Sequence, residues 1–115
     1  MTTTNRIFEL RKYDAVPGKI DALVGRFRDH AAALFEKHGM TNIGFWIEQD
    51  DDGKPTETLV YLLAHTDREA AATSWAAFWE DPEWVEVRNS GEQVTAAATS
   101  SFLEATDFSP LGAAS

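Results

Sequence analysis

The stretch Ile7–Trp46, IFELRKYDAVPGKIDALVGRFRDHAAALFEKHGMTNIGFW, constrains this chain more than any other. It predicts a strand, a turn, one long amphipathic helix and a second strand. In the first strand, Arg6 to Asp14, alternation puts Phe8 and Leu10 on one face and Ile7, Glu9, Arg11 and Tyr13 on the other. Pro17-Gly18 is a turn signal from which a helix can start, and Asp21 suits the positive end of the helix dipole. Ile20, Leu23, Val24, Phe27, Ala31, Leu34, Phe35 and His38 then recur at the i, i+3, i+4, i+7 spacing of a single buried stripe. Gly39 stands where a helix C-cap glycine belongs. The second strand, Thr41 to Asp50, sets Ile43, Phe45 and Ile47 against Gly44, Trp46 and Glu48.

The polar run Asp50–Pro55 predicts a hairpin tip. Its aspartates miss the calcium-loop spacing, and no glutamate follows at the required offset. Glu57 to His65 predicts a third strand, with Leu59, Tyr61, Leu63 and His65 on one face and Val60, Leu62 and Ala64 on the other. Both faces are apolar, which predicts a central strand covered on both sides. Thr66-Asp67-Arg68-Glu69 fits a capping box with Thr66 as N-cap, and a second helix follows through Ala72, Trp75, Ala76 and Trp79. Asp81-Pro82 ends that helix and opens a short third one carrying Trp84, Val85 and Arg88. Thr95 to Ser101 reads as a loop, Ser101 to Thr106 as a fourth strand, and Leu111 to Ser115 as a frayed end. The order β-α-β-β-α-β is the ferredoxin-like arrangement, an α+β fold with a four-stranded antiparallel sheet and helices on one face.

A length of 115 residues suits a single domain spanning 1–115, and a 43% hydrophobic content supplies its core. The chain has no cysteine, hence no disulfide and no thiolate metal site, which fits a reducing, cytoplasmic setting. MTTTNRIFEL lacks the apolar region of a secretory signal, and the longest apolar run, Leu59 to Ala64, is too short to span a membrane. A net charge of −9 with no basic stripe argues against nucleic acid and against anionic lipid. No GxSxG, P-loop or GxGxxG occurs, which removes support for serine hydrolysis, nucleotide hydrolysis and Rossmann cofactor binding. The histidines have no HExxH-like spacing, so neither a zinc site nor another metal is expected.

FELRKYDAVPGK, FRDHAAALFEKHG, IGFW, VYLLAH, WAAFWEDPEWVEVR and LEATDFSP together resemble the NIPSNAP family over nearly the whole chain. The resemblance implies a small protein of the dimeric α+β barrel superfamily, in which two sheets pack face to face across a dimer axis. It implies no catalytic signature. The wider superfamily includes cofactor-free monooxygenases, haem-degrading enzymes, decarboxylases, cyclases, isomerases and non-catalytic proteins, so any one activity is analogy at the level of fold.

If helices cover the Phe8/Leu10 face, Glu9, Arg11 and Tyr13 line the space between two subunits of a homodimer. Glu9 and Arg11 are then neighbours about 7 Å apart along the strand, and the guanidinium keeps Glu9 ionised and makes it a poor general acid. His30, at the margin of the helical stripe, is the candidate base. His38 and His65 read as structural. Tyr13, Trp46 and Tyr61 are candidate pocket walls, with Arg11 available to an anionic group. The leading expectation is a small-molecule enzyme of oxygenase, cyclase or isomerase type, working without cofactor in a pocket between sheet and helices. The alternative is a non-catalytic ligand-binding or structural dimer. A third is a haem protein with His30 or His65 as axial ligand.

Overall fold

The computed structural model describes residues 6–111. Four antiparallel strands, β1 (Ile7–Ala15), β2 (Thr41–Gln49), β3 (Pro55–His65) and β4 (Thr95–Glu104), form one sheet in the order β2-β3-β1-β4. The helices are α1 (Ile20–Arg26), α2 (Ala32–Lys37), α3 (Arg68–Glu80) and α4 (Pro82–Ser90). α1 and α2 are one continuous helical run joined by a π-helical turn, Phe27–Ala31. The expected α+β architecture is therefore present. Among the described residues no helix is long and apolar enough to cross a membrane.

The expected stripe of the first helical run is the buried one, with Leu23, Phe27, Ala31, Leu34 and Phe35 all at or below 5% exposure. They share one buried cluster with Leu59, Tyr61 and Leu63 of β3 and with Met40, Phe78, Trp84 and Val94. Gly39 ends the run at φ +91°, a conformation that glycine adopts without the steric cost of a Cβ. The Asp50–Pro55 tip is the expected hairpin, closed by Asp50 Oδ1, which accepts from the amides of Asp52 and Lys54.

Asp81 caps α4 as expected. Its Oδ1 accepts from the Glu83 amide at 2.9 Å, while Oδ2 accepts from Lys37 Nζ and meets His38 Nε2, each at 2.8 Å. One carboxylate thus starts α4 and ties it to the end of α2. The bonds from Lys37 and then His38 hold it well below the usual carboxylate range, burial opposing them.

Three expectations are corrected. The face of β1 under the helices is Glu9/Arg11/Tyr13, not Phe8/Leu10. The register pairs Glu9 with Leu63, Arg11 with Tyr61 and Tyr13 with Leu59. The apolar Leu59–Tyr61–Leu63–His65 face of β3 therefore carries those polar neighbours under the helices with it. The N-cap of α3 is Asp67 rather than Thr66: Asp67 is extended, and its Oδ1 accepts from the Ala70 amide at 2.7 Å. Finally, Thr95 to Ser101 is strand, because β4 pairs with β1 along its whole length, from Ile7↔Glu104 to Ala15↔Thr95. It is an edge strand of small residues, most of them exposed, so no buried periodicity marks it.

The second face of the sheet carries Phe8, Leu10, Trp46, Val60, Leu62, Ala64 and Leu103. Phe8 and Ala64 are buried, but Trp46 is 53% and Leu103 41% exposed. Residues 105–111 curl over one end of this face and share a recess with Phe8, Leu62 and Leu103. The frayed end expected from Leu111 onward lies, past Leu111, outside the described residues.

Candidate functional site

Arg11 projects from the middle of β1 into the space beneath α3. The two-residue strand repeat aligns Glu9, Arg11 and Tyr13 in one row, and Tyr61 is the cross-strand partner of Arg11. The guanidinium uses all three of its nitrogens. Nε donates to the Tyr61 hydroxyl at 3.0 Å, Nη1 to Glu9 Oε2 at 2.7 Å and Nη2 to the Tyr13 hydroxyl at 3.0 Å. It also lies 4.2 Å from the centre of the Trp75 ring.

Behind it Glu9 is only 2% exposed. Its Oε1 accepts from Trp75 Nε1 at 2.8 Å and meets His65 Nε2 at 2.9 Å. Burial pushes the Glu9 carboxyl up. The hydrogen bonds from His65, Trp75 and Arg11, with the charge of Arg11, outweigh that and hold it below its ordinary value. Burial, with Tyr13 alongside, raises the Tyr61 hydroxyl well above its ordinary value, Arg11 opposing. Tyr61 is a protonated core residue, part of an aromatic cluster with Tyr13, Phe27, Phe35 and Phe45.

Arg11 and Tyr13 also form part of the wall of a cleft of about 560 Å³ between the sheet and α4. Trp79 of α3 and Trp84 and Arg88 of α4 line it, with Arg26 of α1, the loop Gly91–Val94, and Thr95 and Ala98 of β4. Its size is that of a small-molecule site. A second opening, about 250 Å³, lies on the other side of α1 among Val24, Phe27, Ala32, Phe45 and Leu59, and is almost wholly apolar.

Residues 8–110 match the model of the NIPSNAP family. The chain belongs to that family. Solved NIPSNAP structures have the same fold. An uncharacterized NIPSNAP-like domain protein from Burkholderia xenovorans is similar at a TM-score of 0.78 and 25% identity, covering 93% of this chain and 90% of that one. A NIPSNAP family protein of unknown function from Agrobacterium tumefaciens gives a TM-score of 0.81 at 20% identity, covering 94% and 95%. A candidate antibiotic biosynthesis monooxygenase from Chloroflexus aurantiacus is more distant, with a TM-score of 0.58 and 19% identity over 88% and 93% of the two chains. No curated protein matches.

This NIPSNAP chain brings together some of the residues that its sequence singled out and separates others. Arg11, Tyr13 and Tyr61 are in contact. Trp46 is not with them: it lies on the sheet's second face, its ring against Gly44, so close that a Cβ there would collide with it. His30 is on the helical side but faces outward, with Nδ1 2.9 Å from Glu83 Oε2, in a shallow recess with Gly25, Asp29 and Val87. The single pocket expected from Tyr13, His30, Trp46 and Tyr61 does not form. Haem does not fit these residues either. His65 Nε2 is held by Glu9 and its Nδ1 is sealed in the core, while His30 has no enclosing apolar wall. The cleft residues that sequence reasoning passed over include Arg26 and Arg88, while Trp79 and Trp84 stood out only as part of an aromatic load that could serve either a core or a pocket. The one visible signal was the aromatic density of WAAFWEDPEW.

Proposed function

We propose that this NIPSNAP protein binds a small organic molecule in the cleft between β1, β4 and α4. The observation that carries this reading is the 560 Å³ opening with Arg11 and Tyr13 on one wall and Trp79 and Trp84 on another. Amide NMR titration with a fragment library tests it. Hits should perturb Tyr13, Trp79, Trp84 and Ala98. Hits confined to the Val24–Phe45 crevice, or no hits at all, would overturn it.

One observation favours turnover as a second reading. The Tyr13 hydroxyl, on the cleft wall, accepts from Arg11, which leaves its O–H to donate a hydrogen bond to a ligand. That suits cofactor-free proton transfer of the oxygenase, cyclase or isomerase kind, and a bound hit recovered unchanged after long incubation would refute it.

The working form in this proposal is a cytoplasmic homodimer. The exposed Trp46 and Leu103, beside Leu10, Val60 and Leu62, make the sheet's second face a surface for a second copy. Sedimentation equilibrium at micromolar protein should give twice the chain mass, and Trp46→Glu with Leu103→Glu should give one. A monomeric wild type would refute the dimer.

A further inference from the structure

The charges around the cleft are unlike those of the chain as a whole. The net charge is −9, yet Arg11, Arg26 and Arg88 all line this one opening. Glu92 is the one acid among the described lining residues, and Lys19 pairs with it at 3.0 Å.

The arginines divide into two kinds. Arg11 has its nitrogens committed to Tyr61, Glu9 and Tyr13, and its charge is balanced by Glu9. Arg26 and Arg88 form no ion pair among the described residues. Arg26 Nη2 donates once, to the Glu92 carbonyl at 3.0 Å, and Arg88 Nη2 once, to the Trp79 carbonyl at 3.4 Å. A guanidinium has five N–H donors in a planar fork, so most of each fork is left to give. Trp84, on the same wall, has a buried indole Nε1 with no partner among the described residues.

The remaining wall is aromatic. Trp79 is 41% exposed, its ring centre lies 6.4 Å from that of Trp84, and Arg88 lies 5.3 Å above it. Flat rings beside guanidinium forks suit a flat ligand with a planar anionic group.

We propose that the cleft takes a planar aromatic carboxylate, its ring against Trp79 and its carboxylate held by Arg26 and Arg88. This rests on the proposed ligand cleft and adds the chemical class of the ligand. The anion goes to Arg26 and Arg88, not to Arg11, because Arg11 already holds its carboxylate in Glu9. A fused-ring acid fits an opening of this volume, and a two-pronged contact from the guanidinium is the geometry that a carboxylate accepts.

The experiment compares 1-naphthoate, its neutral amide 1-naphthamide and inorganic phosphate, by calorimetry and amide NMR on the full chain. Naphthoate should bind with shifts at Trp79, Trp84 and Arg88, and at least about tenfold more tightly than naphthamide. Arg88→Gln, and separately Arg26→Gln, should each remove most of that preference, lowering naphthoate affinity by a larger factor than naphthamide affinity. Arg88 makes one long contact to the backbone, so its variant serves if loss of the Arg26–Glu92 bond disturbs the loop. Equal affinity for acid and amide at the cleft would overturn the carboxylate class and leave the cleft reading intact. Phosphate that shifts the same residues as strongly would also overturn that class, in favour of a phosphate ligand. Shifts from none of the three probes at the cleft would overturn the inference, and the fragment screen then decides the cleft reading by itself.

Discussion

Glu9→Gln should cost about 3 kcal/mol of stability. The carboxylate is buried and receives bonds from three side chains at once: Arg11 on Oε2, and Trp75 and His65 on Oε1. Glutamine has the same shape but one acceptor oxygen. With that oxygen kept for Trp75 and His65, its NH₂ must point at Arg11 Nη1, donor against donor. A lost charge-assisted bond is worth about 1.5–3 kcal/mol, and a buried charge stripped of its partner costs about 3–5 kcal/mol. These two figures describe one lost pairing and are not added; because the Arg11 side chain keeps 16% of its surface in water, the cost falls at the low end of the buried-charge range, about 3 kcal/mol.

The assay is equilibrium urea unfolding followed by tryptophan fluorescence at pH 7 and one fixed protein concentration. Glu9→Gln with Arg11→Met removes both charges and should be more stable than the sum of the single losses by at least about 1.5 kcal/mol. The pH dependence has a definite sign. The folded-state value of Glu9 is depressed, so its contribution is present above the unfolded carboxylate range and is lost as pH falls through the folded value. Glu9→Gln should therefore flatten the acid side of the stability profile. A loss under about 1 kcal/mol, or a double variant equal to the sum of the singles, would refute the network as drawn.

Asp67→Ala should cost about 1 kcal/mol through the lost cap of α3, while Thr66→Ala leaves the urea midpoint almost unchanged; the reverse order would move the helix start back to Thr66. Asp81→Asn keeps the Oδ1 cap but loses the charge that meets Lys37 and His38. The Asp81 value is depressed, so its contribution is present above the unfolded aspartate value and fades as pH falls below about 4. The wild type should melt higher than the variant at neutral pH and lose that advantage in acid, and parallel melting curves across that range would refute the assignment. His30→Gln should change stability by about 0.5 kcal/mol or less, because its pairing with Glu83 is at the surface, and should leave naphthoate affinity untouched; a lost affinity would return His30 to the site.

The sequence made the frame legible where burial leaves a periodic trace. Leu59–Ala64 is apolar on both faces because β3 is central, and Asp81-Pro82 marks a cap that the structure confirms. The choice of sheet face was illegible for a physical reason. Phe8 and Leu10 look like core beside Glu9 and Arg11, and only the cross-strand pairing with Leu63 and Tyr61 shows that the charged row is covered and satisfied internally. β4 was read only from Ser101 onward, because the alanine, threonine and serine run before it has no hydrophobic period to read. Arg26 and Arg88 carry no mark of their role. An arginine on a solvated helix face and one lining a cleft occupy the same kind of position in a helical pattern, and the difference lies in how α4 docks.

The position of β1 has a consequence in time as well as in space. Of the four strands of its sheet it is made first, yet it ends between β3 and β4, with Ile7 paired to His65 on one side and to Glu104 on the other. Neither partner is local, so the chain must close two long loops before its sheet is complete, and such closures slow folding. During synthesis, which runs from the N-terminus, Glu9 and Arg11 have each other from the start. Trp75 comes only with α3, and the far edge of β1 stays unpaired until β4 has emerged. In the nascent chain, that edge is held back from stray pairing by the charges of Arg6, Glu9, Arg11, Lys12 and Asp14.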